Sequence, residues 1–173
     1  GLGTVLVMLG VEGEIPEFAH HNLLFSRDWD DDFAAVFDGP VPQRPLGSSR
    51  SIYVSKPSAT DPGVAPAGHE NLFVLVPVAA EEAVGHGDMY RDRASEQVES
   101  TADAAVEQIS RWCGVEGLDR RIVVKRTLGP ADFSERYHAW SGGSIGPAHT
   151  LRQSAFLRGS NRSRKLENLY YAG

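Results

Sequence analysis

Residues 4–11 read TVLVMLGV, and residues 72–78 read LFVLVPV. Both runs have the length and the β-branched content of a strand, yet neither alternates polar with apolar. In the first, Val5, Val7 and Leu9 fall on one face, and Leu6 and Met8 fall on the other. An antiparallel sheet with one wet face carries a polar residue at every second position. Strands that are apolar on both sides need cover on both sides. One long helix can cover one of them. The other side either lines a cavity for an apolar ligand, packs against a further domain, or is buried between helices of the chain itself.

The flanking segments supply the rest of the sheet. Residues 21–25 form a weaker strand, residues 51–55 (SIYVS) a third that ends at Pro57, and residues 121–127 (RIVVKRT) a fifth. Pro77 marks the end or an edge of the fourth strand, residues 72–78. Residues 28–37 (DWDDDFAAVF) form a short helix capped by Asp28 or Asp30, with acids suited to its first turn. Asp38-Gly39-Pro40 ends it, and a Pro-, Gly- and Ser-rich loop runs on to Ser49. In residues 88–113, Ala94, Val98, Ala102, Ala105, Ile109 and Trp112 recur at spacings of three and four, which predicts one long helix stopped by Gly114. Pro130 opens a short helix that reaches Tyr137. The expected fold is α+β: a mostly antiparallel sheet of four to five strands, with one long helix and short helices on one face. No internal repeat or domain boundary is visible.

With 173 residues, 41% of them hydrophobic and 23% charged, the chain is the size of one packed domain. Its single cysteine, Cys113, excludes an intrachain disulfide and a cysteine-based metal cluster, and suits a reducing compartment. The longest apolar run, residues 72–80, contains Pro77 and falls short of the roughly 18 residues a spanning helix needs. Residues 151–173 hold five basic side chains and one acid; the whole chain is nevertheless at −6. That asymmetry points to an anionic partner or to a solvated loop. Nucleic acid is excluded as the preferred partner: the chain is acidic overall, and its basic segment lacks a stacking platform. Lipid headgroups suit the basic segment better.

The chemical motifs are few. Gly142-Gly143-Ser144-Ile145-Gly146 matches the G-x-S-x-G pattern of a serine nucleophile, but no apolar strand precedes it and the order of acid and histidine is wrong. The better reading is that these glycines let the backbone approach another surface or a ligand closely. His20 and His21, as neighbours in a strand, are expected on opposite faces. No metal-ligand spacing is present, and Asp30-Asp31-Asp32 lacks the spacing of a calcium loop, so no metal is expected. The G-x-G-x-x-G fingerprint of dinucleotide binding is also absent.

Four segments together resemble one family: AHHNLLFSRDW (19–29), IYVSKPSATDPGVAPAGHENLFVLVPV (52–78), TLGPADF (127–133) and GGSIGPAHTLRQSAFLRGSNRSRKLENLYYAG (142–173). They are similar to the bacterial phytoene desaturases, FAD-dependent carotenoid oxidoreductases related to the flavin amine oxidases. The resemblance implies the substrate-binding domain of a two-domain flavoprotein, residues 1–167, with residues 168–173 beginning the strand that returns to an FAD-binding domain. It implies an enzyme that removes hydrogen from a long apolar polyene in carotenoid biosynthesis, with FAD as cofactor and oxygen or a quinone as electron acceptor. Without the fingerprint, the chain alone is expected to hold no FAD and to be inactive. Gly142, Gly143, Ser144 and Ile145 match the family's glycine-rich stretch near the flavin, and Ala172 and Gly173 match the start of the cofactor-facing return. No catalytic residue transfers. The implied location is cytoplasmic with peripheral membrane contact. A ketolase, an isomerase or a diapophytoene desaturase of the same family fits the same motifs. From a different class, so does a non-catalytic module binding an apolar ligand or lipid.

Overall fold

The structure is a computed structural model that describes residues 1–37, 50–146, 150–153 and 157–171. In chain order its elements are β1 (Gly3–Glu12), β2 (His21–Leu24), α1 (Trp29–Phe37), β3 (Ile52–Ser55), β4 (His69–Val78), α2 (Glu96–Cys113), α3 (Leu118–Arg121), β5 (Ile122–Leu128) and α4 (Pro130–Tyr137). The five strands form one sheet in the order β2-β3-β4-β1-β5, and every pairing is antiparallel. The expected α+β class and strand count are therefore observed.

The two greasy runs are neighbours at the centre of the sheet, where β1 and β4 pair along ten residues from Gly3 opposite Val78 to Glu12 opposite His69. Residues that face each other across strands share a sheet face. One face carries Val5, Val7, Leu9, Val74, Val76, Val54 and Ile52, all fully or almost fully buried. Against it lie Val98, Ala102, Ala105 and Ile109 of α2, together with Val115 and Leu118. Side chains of this size contribute about 1.5–3 kcal/mol each when fully buried, so this single layer is the main source of the fold's stability.

Local chemistry explains the element ends. Asp28 caps α1: its Oδ1 accepts the amides of Asp30 at 3.0 Å and Asp31 at 3.2 Å. The predicted stop at Asp38-Gly39-Pro40 and the loop to Ser49 lie outside the described residues. Pro77 sits next to the last residue of β4, beyond the point at Leu75 where β3 stops pairing, so it lies on an uncovered stretch of edge. Gly114 ends α2 in the left-handed region at φ 70°, as expected.

The long helix is shorter than its periodicity predicts. It starts at Glu96, and residues 88–95 are held otherwise. Asp88 takes the Thr127 amide on its Oδ1 at 2.6 Å, and the Met89 amide donates to the Thr127 carbonyl at 3.1 Å. These bonds lay the segment along β5 and use the groups a helix would need. Trp112, expected on the buried stripe, is 44% exposed. The one-turn helix α3 was not anticipated, because four residues carry no readable period.

Candidate functional site

The second face of the sheet presents Leu6, Met8 and Gly10 from β1, Phe73, Leu75 and Pro77 from β4, Tyr53 and Leu23 from β3 and β2, and Val124 from β5. These are partly or well exposed, whereas Thr4, Ser55 and Leu128 on the same face are buried. Val123 and Val124 are 55% and 53% exposed, values seldom seen for adjacent valines in a strand. At the end where β1 finishes, a groove of about 550 Å³ opens over Met8, Phe73, Met89, Val64, Val123 and Val124. Its polar lining is His69, Glu70, Asn71 and Arg126. A smaller apolar cavity of about 190 Å³ lies at the other end of β4, between Leu2, Pro77, Val78 and the α1 side chains Trp29 and Phe33. Leu75 lies between Phe73, in the groove, and Pro77, in the cavity, on the same face of the same strand. The register thus gives one apolar track along the outer face of β4.

Helix α1 extends this apolar surface. It has no buried residue. Phe25, Trp29, Phe33 and Phe37 form a ladder, with ring centroids 5.3, 6.1 and 6.2 Å apart in turn, and each ring is about half exposed. The spacing of four that builds this ladder was readable in the sequence but was not used; only the acids of the same helix were.

The glycine-rich loop sits beside the cavity. The Ser144 amide donates to the Leu2 carbonyl at 3.0 Å, and Leu2 lines the cavity. Gly142 has φ 75°, and a Cβ there would stand 2.5 Å from the Pro130 carbonyl oxygen. The surface that this glycine approaches is therefore the protein's own. Ser144 Oγ is buried without a hydrogen-bond partner among the described residues, and Ile145 beside it is 44% exposed. Ala172 and Gly173 lie outside the described residues.

On the opposite edge the structure corrects the reading of the histidines. His20 lies in the bend before β2, so strand alternation does not apply to it, and its ring centroid is 4.3 Å from that of His21. His21 Nδ1 and the Tyr53 hydroxyl are 2.7 Å apart, and His20 Nδ1 and Thr60 Oγ1 are likewise 2.7 Å apart. Among the described residues no group of three or more histidine, cysteine or acidic side chains could hold a metal ion.

Electrostatics concentrates at the β5 edge. Partial burial pushes the Asp88 carboxyl up, but the hydrogen bonds from the Thr127 amide and hydroxyl and from Arg126 outweigh it and hold the group below its ordinary value. Arg126, paired with Asp88 at 3.1 Å, is thereby fixed at the rim of the groove. The basic segment is different: every described residue from 150 to 171 except Ser163 is exposed. Among the described residues its one isolated β-bridge pairs Arg162 with Tyr170, within the segment itself. Among the described residues, no helix is long and apolar enough to cross a membrane.

No family model matches the chain. Known proteins do. Over 169 residues it is 41% identical to a carotenoid 3,4-desaturase of Haloarcula japonica. It is 30% identical to a zeta-carotene-forming phytoene desaturase of Myxococcus xanthus, and 30% identical to a 4,4'-diapophytoene desaturase (4,4'-diaponeurosporene-forming) of Staphylococcus haemolyticus. Each match covers 97% of this chain. The chain is a relative of the carotenoid desaturases. It spans 30–32% of the length of these curated desaturases, so it corresponds to one part of them. What sequence reasoning missed in this segment is mostly long-range: Met8, Phe73 and Val124 meet through register, and Met89 joins them through its bond to Thr127.

Proposed function

We propose that this chain is the substrate-binding part of an FAD-dependent carotenoid desaturase, residues 1–167, with residues 168–173 starting the return toward an FAD-binding domain. The supporting observation is the partly exposed apolar face of β1 and β4, read together with the kinship to desaturases. A polyene offers no charge and almost no hydrogen-bonding group, so a protein holds it by removing apolar surface from water. The alternate residues that line the substrate path are Leu6, Met8, Phe73, Leu75 and Pro77, since Val5, Val7, Val74 and Val76 are spent against α2.

FAD would supply a two-electron acceptor for the hydride of each CH–CH unit, the accompanying proton passing to solvent, with oxygen or a quinone as the final electron acceptor. The chain's own contribution is to bind and orient. The loop Gly142, Gly143, Ser144 and Ile145 would stand between cofactor and substrate: it rests on Leu2 beside the cavity, and among the described residues its buried Ser144 hydroxyl has no hydrogen-bond partner. Gly142 seats this loop on Pro130. A substrate dissolved in lipid calls for contact with a membrane surface, and the exposed ladder of α1 suits such contact.

The reading is tested by titrating the chain with lycopene in detergent and following quenching of its tryptophans. Saturable quenching is expected, and Leu75→Arg should abolish it while leaving the circular dichroism unchanged. A chain that takes up no polyene, or one indifferent to Leu75→Arg, refutes the assignment of this face.

A further inference from the structure

The chain has two methionines, Met8 and Met89, and both line the apolar groove of about 550 Å³. Met8 is set there by β1, opposite Phe73 on one neighbouring strand and Arg126 on the other. Met89 reaches the groove by a different route: its amide donates to the Thr127 carbonyl at 3.1 Å, which lays its segment along β5. Both side chains are partly exposed. Val123 and Val124 of the same groove are more than half exposed, so a small solute in water has access to this wall.

A thioether is apolar and flexible, which suits a surface that holds hydrocarbon by contact alone. It is also the one side chain of such a wall that a two-electron oxidant converts under mild conditions. A peroxide transfers one oxygen atom to the sulfur. The O–O bond breaks, an S–O bond forms, sulfur is oxidised by two electrons, and hydrogen peroxide leaves as water. The product, a sulfoxide, is polar. The remaining sulfur of the chain is less open to this chemistry. Cys113 packs against the core, and burial, with a smaller effect of Glu17, pushes its thiol up and so keeps the reactive thiolate scarce.

We infer that Met8 and Met89 form a modification site: peroxide oxidises both to sulfoxides, and the groove then loses its affinity for an apolar polyene. This rests on the proposed polyene-binding role and adds to it a reversible redox control. A polyene laid over a sulfoxide buries the new oxygen without a hydrogen-bond donor, and such burial is penalised. Oxygen that takes up two electrons and two protons becomes hydrogen peroxide. With oxygen as electron acceptor, the oxidant would therefore accumulate with turnover, and the modification would act as feedback on substrate binding.

The chain is treated with dilute hydrogen peroxide at neutral pH, and the oxidised residues are located by peptide mass mapping. Lycopene is titrated before and after treatment by tryptophan quenching. One added oxygen is expected at each of Met8 and Met89, with lycopene bound at least about tenfold more weakly. Methionine sulfoxide reductases of both stereospecificities should restore the affinity. Met8→Leu/Met89→Leu, a nearly volume-conserving change, is compared only with itself, and treatment should move its affinity by less than about twofold. Cys113→Ser should lose affinity on treatment as the wild-type chain does. If the double variant does not fold, reversal by the reductases in the unaltered chain carries the test. Peroxide that leaves either methionine unmodified, sulfoxides at both with affinity unchanged, a loss that the reductases do not reverse, or a loss that persists in the double variant overturns the inference and leaves the polyene-binding role standing. An untreated chain that binds no lycopene overturns both.

Discussion

Two glycines with the same backbone angle separate conformational need from close contact. Gly142 and Gly68 both have φ 75°. A Cβ at Gly142 would lie 2.5 Å from the Pro130 carbonyl oxygen and 2.8 Å from the carbons next to it, whereas a Cβ at Gly68 meets nothing within 4 Å among the described residues. Alanine at either position costs about 1–2 kcal/mol for the left-handed conformation. At Gly142 the loop must also move off Pro130, which adds about 1–3 kcal/mol of overpacking strain. Gly68→Ala should therefore lower stability by about 1–2 kcal/mol and Gly142→Ala by about 2–5 kcal/mol. For a chain of this size each kcal/mol moves the melting temperature by about 2–4 °C, so thermal denaturation followed by circular dichroism resolves the two. If Gly142→Ala costs no more than Gly68→Ala, the loop is not seated on Pro130 as described, and its place beside Leu2 and the cavity loses its support.

Other outcomes follow from the edges of the sheet. Asp132 is 1% exposed, and its Oδ2 accepts the amides of Gly87 at 2.6 Å and Gly129 at 2.9 Å. Asp132→Ala leaves both donors buried and should cost about 3 kcal/mol or more in urea denaturation, and a loss below about 1 kcal/mol contradicts the bridge. Asp88 has its folded pKa lowered, so its stabilising contribution is complete above the unfolded value and is lost as pH falls through the folded one. Stability measured from neutral to acid should fall through the carboxylate range, and Asp88→Asn should flatten that fall; an unchanged profile in the variant would assign the dependence to other acids. Ile109→Ala, on the fully buried stripe of α2, should cost about 2–5 kcal/mol, whereas Trp112→Ala, at a half-exposed position, should cost far less; comparable losses would place Trp112 in the core after all.

The composition of residues 4–11 and 72–78 determined that the sheet would have two apolar faces, and that conclusion needed no coordinates, because side-chain alternation is a property of any extended strand. The existence of the five strands, of α1 with its Asp28 cap and of the Gly114 stop was likewise local information, carried by period and by turn chemistry. Which face α2 would take was not local. It follows from the pairing of Gly3 with Val78 and from the helix starting only at Glu96, and a register shifted by one residue would have exchanged Leu75 for Val74. The start of α2 was itself decided from a distance, by Thr127 capturing Asp88 across 39 positions of sequence. The histidine pair was misread for a similar reason: alternation separates His20 from His21 only inside a strand, and where β2 begins is set by its partner β3. Sequence dictated that both sides of the two central strands would be oily; only the long-range pairing of strands, whose energy lies between residues far apart in the chain, decided which side chains compose each face and which of them stay partly exposed.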